Sequence, residues 1–349
     1  MLYGEIVEYL LGNHLCVGFL SMGIKSRLCK YCFPEFISAA AIRRMSINSG
    51  IVLMYHEVLP DEISFPAWTV VKESDFRWQM TYLQKHFDIL HLDNALERVK
   101  GQEVGEKPFA VITFDDGYKG NLDNVLPVME YFGLPFIVYV STKAAIDKCL
   151  LWFDRILNLL ALSEDIHVEL TIENKTERFI IPGKASEAAR WKAIEVLLER
   201  LKRMTVDERE YWVQHIAEKY SRVHPTLEML TTEGLQTLAC SELVTVGSHT
   251  HGHELLDQLD DLRIQQTLEA SIHHLIDITG ESPQHFSYPN GNYNQTVTAK
   301  VQEMGFETAV TTNAGIWSES KKVMQIPRIG IGRFETKSQF RGKVSGYLR

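Results

Sequence analysis

Phe109-Ala110-Val111-Ile112-Thr113-Phe114-Asp115-Asp116-Gly117-Tyr118 is the stretch that decides the fold. A short, unbroken apolar run leads directly into two adjacent carboxylates. Such a run without polar alternation suits a strand buried on both faces, as in a parallel sheet covered by helices. Gly117 permits the turn at the strand's end. Neighbouring side chains on a strand end point in different directions, so one carboxylate can bind a metal while the other handles a proton. An ordinary Asp-Gly turn has the same spelling, so the surroundings must decide.

Working outward, similar strands recur with helices between them. Upstream lies Ile51-Val52-Leu53-Met54-Tyr55, ending in His56, and then a helix over 74–87 whose Phe76, Met80 and Leu83 share one face. Downstream come a helix through Val125, Val128 and Met129 and the run Pro135 to Val140. The alternation stops between Trp152 and Tyr220, a mostly charged helical region with one hairpin signal: His167 to Ile172 and Arg178 to Ile181 around Glu173-Asn174-Lys175. It resumes at Leu243-Val244-Thr245-Val246, passes through a helix with Leu268, Ile272, Leu275 and Ile276 that stops at Gly280, and ends with strands near His285 and Ala309. These units suffice to close an α/β barrel, in which chemistry belongs on the loops that follow the strands. The expected division is a helical extension over 1–48, a barrel over 49–335 interrupted at about 150–235, and a tail over 336–349.

Composition narrows the class. With 349 residues, 45% hydrophobic and 23% charged, the chain is neither disordered, collagenous nor a coiled coil. A formal charge of -9 argues against nucleic acid as a partner. Five scattered cysteines (Cys16, Cys29, Cys32, Cys149 and Cys240) give no disulfide framework, and the lone Cys29/Cys32 pair supports neither a zinc ribbon nor a thioredoxin site. Glu5 and Glu8 stand where an export signal carries positive charge, and the apolar run Tyr9 to Leu20 is broken by Gly12, Asn13 and His14. A cytoplasmic protein is expected. The same run precedes Lys25, Arg27, Lys30, Arg43 and Arg44, a pattern compatible with peripheral contact to an anionic membrane through residues 1–48, although a helix packed on the body is the simpler reading.

Two more polar clusters follow strands. In Gly247-Ser248-His249-Thr250-His251-Gly252-His253, His249 and His253 have the four-residue spacing that puts two imidazoles on one face of a helical turn, with His251 facing away. Two histidines and one carboxylate form a facial set with open positions for water and substrate. The third cluster, Phe286-Ser287-Tyr288-Pro289-Asn290-Gly291-Asn292-Tyr293, reads as a strand end and tight turn.

In this order on one rim, the three clusters resemble the first three motifs of the polysaccharide deacetylase (NodB-homology, carbohydrate esterase 4) family, over roughly residues 50 to 335. The resemblance implies a distorted (β/α)7 barrel, here with a mostly helical insertion, and one divalent metal. Carried over by position, Asp115 matches the general base, Asp116 the metal carboxylate, and His249 and His253 the metal histidines. Tyr118, Pro289 and Asn290 fall on the substrate and oxyanion side. Zinc is the first expectation for the metal; cobalt, nickel or iron suit the same His2Asp set. The family's third motif usually carries an arginine that orients the base and an aromatic residue beside the oxyanion; here Ser287 and Asn290 stand there. Arg328, in Ile326-Pro327-Arg328-Ile329-Gly330, is the candidate replacement, with a surface ion pair as the plain alternative. The family's C-terminal Leu-x-His is missing, whereas Met54-Tyr55-His56 ends the first strand, as in a circularly permuted branch; His56 then becomes the candidate general acid. The implied reaction is removal of N-acetyl groups from an N-acetylglucosamine-type oligo- or polysaccharide or a lipid-linked precursor, releasing acetate. A deformylase or deacylase acting on another amide would use the same residues, and an inactive carbohydrate-binding protein is the third reading.

Overall fold

The computed structural model describes residues 33–172, 175–220 and 226–348. Residues 45–334 form one compact unit built on a curled parallel sheet. Seven of its eight strands, in chain order, are β1 (Gly50–Tyr55), β2 (Phe109–Phe114), β3 (Phe136–Val140), β4 (Val244–Ser248), β5 (His285–Ser287), β6 (Thr308–Val310) and β7 (Ile329–Gly330), and the eighth, the two-residue Asp88–Ile89, pairs with the start of β2. The seven lie side by side in the order β6-β5-β4-β3-β2-β1-β7. The edges meet: the Ile326 N–H donates to the Ala309 carbonyl (2.9 Å), and the Ile331 N–H donates to that of Met54 (2.9 Å), so the stretch entering and leaving β7 bridges β6 and β1. This is the distorted (β/α)7 barrel the sequence implies.

The unbroken apolar runs have the consequence expected of them. Every residue of β1, β2 and β3 is buried, because helices cover one side of the sheet and barrel-filling side chains the other. The helix expected over 74–87 spans Glu73–His86 and buries Phe76, Met80 and Leu83. The later helix, Asp261–Thr279, buries Leu268 and Leu275 but leaves Ile276 38% exposed, and it ends on Gly280 at φ 82. That left-handed conformation suits glycine, which has no Cβ to clash.

Between β3 and β4 the chain runs through helices and a hairpin whose apolar side chains share one core cluster with barrel residues. Helix Trp152–Leu157 is followed by an antiparallel hairpin, Ile166–Ile172 with Lys175–Ile181, and by helices Glu187–Lys202 and Val206–Lys219. Glu173 and Asn174, the expected turn, lie outside the described residues. In the first hairpin strand Ile166, Val168 and Leu170 alternate inward onto Ile194, Leu197, Val213 and Ile216 of the helices, and Tyr118 and Phe65 from the barrel join the same cluster.

The chain ends form a second unit. Its helices Glu35–Ile42 and Lys337–Val344 are joined by an Arg341–Glu35 ion pair (3.1 Å) and by the rings of Phe33 and Tyr347, 5.2 Å apart. The stretch expected as a tail is therefore helical, started by a capping box between Thr336 and Gln339. The Tyr9–Leu20 run, the bases Lys25, Arg27 and Lys30, and Cys16, Cys29 and Cys32 lie outside the described residues. No helix among the described residues is long and apolar enough to cross a membrane.

Candidate active site

Because the strands are parallel, the residues that follow β1, β2, β4 and β5 emerge on one rim: His56, Asp115 with Asp116, His249 and Tyr288. Asp116 Oδ1 lies 3.4 Å from His249 Nε2 and 3.4 Å from His253 Nε2, and the two imidazole rings are 4.9 Å apart. These three residues form the one group of potential metal ligands of this kind among the described residues. Asp116 is 2% exposed, yet its Oδ1 has no hydrogen-bond partner. A buried carboxylate oxygen left bare is costly unless a cation completes it. Ligand atoms around a tetrahedral ion with bonds of about 2.0–2.1 Å stand about 3.3–3.4 Å apart, so the two Asp116–imidazole distances suit a divalent metal ion.

The backbone that makes this cage is unusual. The four-residue spacing of the histidines does not form the helical turn expected from the sequence: residues 249–253 are a loop, and Thr250 and His253 adopt positive φ (66 and 58). A helical turn would leave β4 in one direction only, whereas two left-handed residues fold the loop back over Asp116. Asp116 itself has φ 75. Non-glycine residues in this region carry on the order of 1–3 kcal/mol of strain each, and such strain collects where geometry serves a ligand. His249 is aimed by a hydrogen bond between its Nδ1 and the Ser287 carbonyl (2.8 Å), which leaves Nε2 facing Asp116. His251 faces away as expected, bonding Thr142 and stacking on His274.

Charge follows the same division. Burial opposes the ionised form of Asp116, but His249 and His253 hold its carboxyl far below the usual range. Burial lowers His253 to about 4, leaving its imidazole neutral and able to act as a ligand near neutral pH. His249 is pushed the other way: burial lowers it, and the charges of Asp115 and Asp116 more than compensate.

Asp115 has no bare oxygen. Arg328, fully buried, grips it with two parallel bonds: Nη1 to Oδ1 (2.7 Å) and Nη2 to Oδ2 (2.6 Å). Its remaining N–H groups go to Thr113 Oγ1, Ser287 Oγ and the Thr311 carbonyl, so all five guanidinium donors are used. The surface ion pair considered from sequence is thus replaced by a buried clamp. Ser287 explains how: a small hydroxyl at the position where an arginine was expected leaves room for Arg328 to enter from beside β7. The Ser287 hydroxyl also donates to Asp115 Oδ2 (3.3 Å). Burial raises the Asp115 pKa, but Arg328 and His249 outweigh it and keep the carboxylate ionised.

His56 shares this environment. Its Nδ1 is buried without a partner, its ring lies 5.9 Å from that of Trp68, and Asp116, Asp115, Arg328 and His249 all act on its charge. Burial is the larger influence and lowers its pKa. Its carbonyl accepts a bond from Asn121 Nδ2 (2.9 Å), at the start of a π-helical turn, Asn121–Val125. Turns of this kind are frequent at functional sites.

The residues expected on the substrate side are dispersed. Asn290 is exposed with φ 57, and its side chain bonds Asn292 and Lys202. Pro289 is buried below it. Tyr118 does not offer its hydroxyl to the rim: its ring is fully buried, and the O–H donates to Asp154 Oδ1 at 2.7 Å.

Three residues that complete the site escaped the sequence reading. Thr113 is an ordinary strand residue until Arg328 reaches it. Asn121 lies ahead of the helix read through Val125, Val128 and Met129. Phe153, whose ring meets that of His253 at 5.0 Å, belongs to the insertion. A carboxylate inside the apolar segment Leu150-Leu151-Trp152-Phe153-Asp154-Arg155-Ile156-Leu157 was the available signal that this helix meets something polar.

A family model described as polysaccharide deacetylase matches residues 102–309, more than half of the chain. The matched region contains Asp115, Asp116, His249, His253 and Ser287 and leaves His56 and Arg328 on either side. No curated protein matches. Among solved structures, a polysaccharide deacetylase from Bacillus cereus is similar over 85% of this chain and 69% of its own (TM-score 0.54, 17% identity). The Streptococcus pyogenes deacetylase PplD, in complex with acetate, is similar over 85% and 98% (TM-score 0.55, 15% identity). IcaB from Ammonifex degensii is similar over 86% and 97% (TM-score 0.50, 17% identity). At these identities the structures speak for the barrel alone; the family match, together with the strand-end carboxylate pair it contains, shows that the chain belongs to the polysaccharide deacetylase family.

Proposed function

We propose that this chain, a hydrolase of amide C–N bonds by family, removes N-acetyl groups from an N-acetylglucosamine-type saccharide and releases acetate, with Asp116, His249 and His253 as ligands of one divalent ion, zinc in the first instance. The observation that carries the reading is the contrast between adjacent carboxylates, one with a bare buried oxygen facing two imidazoles and the other clamped by a buried arginine. An ion held there would supply a polarised acetamide carbonyl and a more acidic water.

The chain's own groups supply the rest. Asp115, ionised and oriented by Arg328, accepts a proton from the attacking water at a carboxylate oxygen. The water oxygen bonds to the carbonyl carbon, the C–N bond then breaks, and the leaving nitrogen takes a proton from His56. Burial lowers the His56 pKa and favours a neutral resting ring, so the proton it passes to the leaving nitrogen is the one Asp115 has taken from the water, which leaves both groups in their starting states. The backbone N–H near Asn290 is the proposed protein donor to the oxyanion, with Tyr118 and Pro289 shaping that side from within. His56 follows β1, which lies between β2 and β7, so it can serve from the same rim as Asp115 in place of the missing C-terminal histidine. The acetate held by the S. pyogenes relative is the expected product.

Acetate release from chitin oligosaccharides, measured with and without chelator, tests the reading. Release that chelation stops and zinc or cobalt restores supports it; release unaffected by chelation contradicts it.

A further inference from the structure

We propose that Asp154, carried by the inserted helix Trp152–Leu157, is a positioning residue for the metal-binding turn and acts on it through Tyr118. The inference rests on the reading of Asp116 as a metal ligand. Asp154 is fully buried, its Oδ1 accepts the Tyr118 hydroxyl at 2.7 Å, and its Oδ2 has no partner. A carboxylate is a poor choice for simply anchoring an inserted helix in an apolar core, where a leucine would serve better. What Tyr118 does is hold the end of Asp116-Gly117, two consecutive residues at φ 75 and 87.

The insertion's exit segment grips the same turn. Leu230 N–H donates to the Gly117 carbonyl (2.9 Å), and Lys119 N–H donates to that of Glu228 (2.8 Å). The turn is therefore held on its side chain by the segment that enters the insertion and on its backbone by the segment that leaves it. Phe153, the neighbour of Asp154, sets its ring edge against His253, the other ligand in a left-handed conformation. Two of the three ligand residues are strained, and Phe153 and Asp154 together reach the supports of both. The insertion then belongs to the metal site's scaffold, although none of its residues is a ligand.

The full chain, stripped of metal, is titrated with Co2+ while its visible absorption and thermal unfolding are followed, in parallel with Tyr118→Phe, Asp154→Ala, Asp154→Asn and the Tyr118→Phe/Asp154→Ala double variant. Tyr118→Phe and Asp154→Ala should each weaken Co2+ binding on the order of tenfold and change the band shape, as loss of support around a ligand does. The double variant should be no weaker than the worse single, because both remove one bond. In Asp154→Asn the amide oxygen still accepts from Tyr118, so affinity should stay within about threefold of wild type. Wild-type affinity and spectrum in Tyr118→Phe and Asp154→Ala would overturn the proposal, and so would Asp154→Asn binding as weakly as Asp154→Ala. Should Asp154→Ala fail to fold, Tyr118→Phe, which loses a single oxygen, decides alone. A wild-type chain that takes up no Co2+ would instead overturn the metal-ligand reading itself.

Discussion

Asp115 and Asp116 are neighbours in sequence, equally buried, and opposite in their hydrogen bonding. Around Asp115 both oxygens are engaged by Arg328, and Ser287 adds a third bond. Around Asp116 one oxygen is bare and points at two imidazole nitrogens. The difference teaches that burial alone does not assign a role. A saturated carboxylate has its charge fixed and its direction set, which suits a base that must be ionised and correctly aimed. A carboxylate with a free lone pair facing two imidazole nitrogens suits a metal ligand. The left-handed backbone of Asp116 turns the second carboxylate away from the first.

The most severe way to break this division is to exchange the losses. His253→Ala should abolish stoichiometric metal binding and turnover together, since two remaining ligands hold a divalent ion poorly. Asp115→Asn should keep the metal and lose on the order of 10² to 10⁴-fold in kcat. Metal content by atomic absorption beside kcat separates the two; a metal-free Asp115→Asn protein would erase the distinction.

Next in size is the clamp. Arg328→Met leaves Asp115 ionised and unpaired in the interior, which should destabilise the fold by about 3–5 kcal/mol in urea unfolding. Adding Asp115→Asn removes the orphaned charge, so the double variant should recover a large part of that loss while staying inactive. A double variant no more stable than Arg328→Met would show that the guanidinium's bonds to Thr113, Ser287 and Thr311 matter more than the ion pair.

Glu57 is an intermediate case that sharpens the comparison. It is buried, accepts backbone N–H bonds from Val58 and Gly120, and has no cation in contact among its bonds. Burial raises its pKa to about 8 against those bonds. Folded chains therefore keep the proton between the ordinary glutamate value and about 8, where unfolded chains have released it. Stability from this group is full below the unfolded pKa and declines as pH rises through that window. Wild type should lose on the order of 3–5 kcal/mol relative to Glu57→Gln between pH 4.5 and 8.5. A difference in unfolding free energy that is flat across this range would mean that the two backbone donors keep Glu57 ionised, as Arg328 does Asp115.

The smallest effect on chemistry should come from removing residues 1–32. If the Tyr9–Leu20 run and the bases after it dock on anionic lipid, the deletion should shift the protein to the soluble fraction and leave hydrolysis of short soluble substrates unchanged. Unchanged fractionation would argue for a helix packed on the body.

Much of this was legible because it depends on local pattern. Phe109–Phe114 reads as a buried strand from composition alone, and strand ends in a parallel barrel converge whatever lies between them, so Asp115, Asp116 and His249 could be gathered on one rim. Arg328 was found because the motif lacked an arginine and one followed a late apolar run. What failed was geometry set by tertiary contacts. The four-residue histidine spacing suggested a helical turn, whereas the loop uses positive φ at Thr250 and His253, which no residue there announces. Tyr118 looked like a rim residue, but the insertion supplies Asp154 and an apolar pocket that turn it inward. The links among Arg328, Thr113 and Ser287 join strands far apart in sequence and have no periodic signature.

Diffraction from crystals of the zinc-loaded chain, collected on both sides of the zinc absorption edge, tests the central claim most directly. The account predicts one anomalous peak about 2.0–2.2 Å from an Asp116 carboxylate oxygen, His249 Nε2 and His253 Nε2, with Asp115 still gripped by Arg328 and outside bonding distance. A peak that takes Asp115 as a ligand, or one that lies away from the three residues, would contradict it.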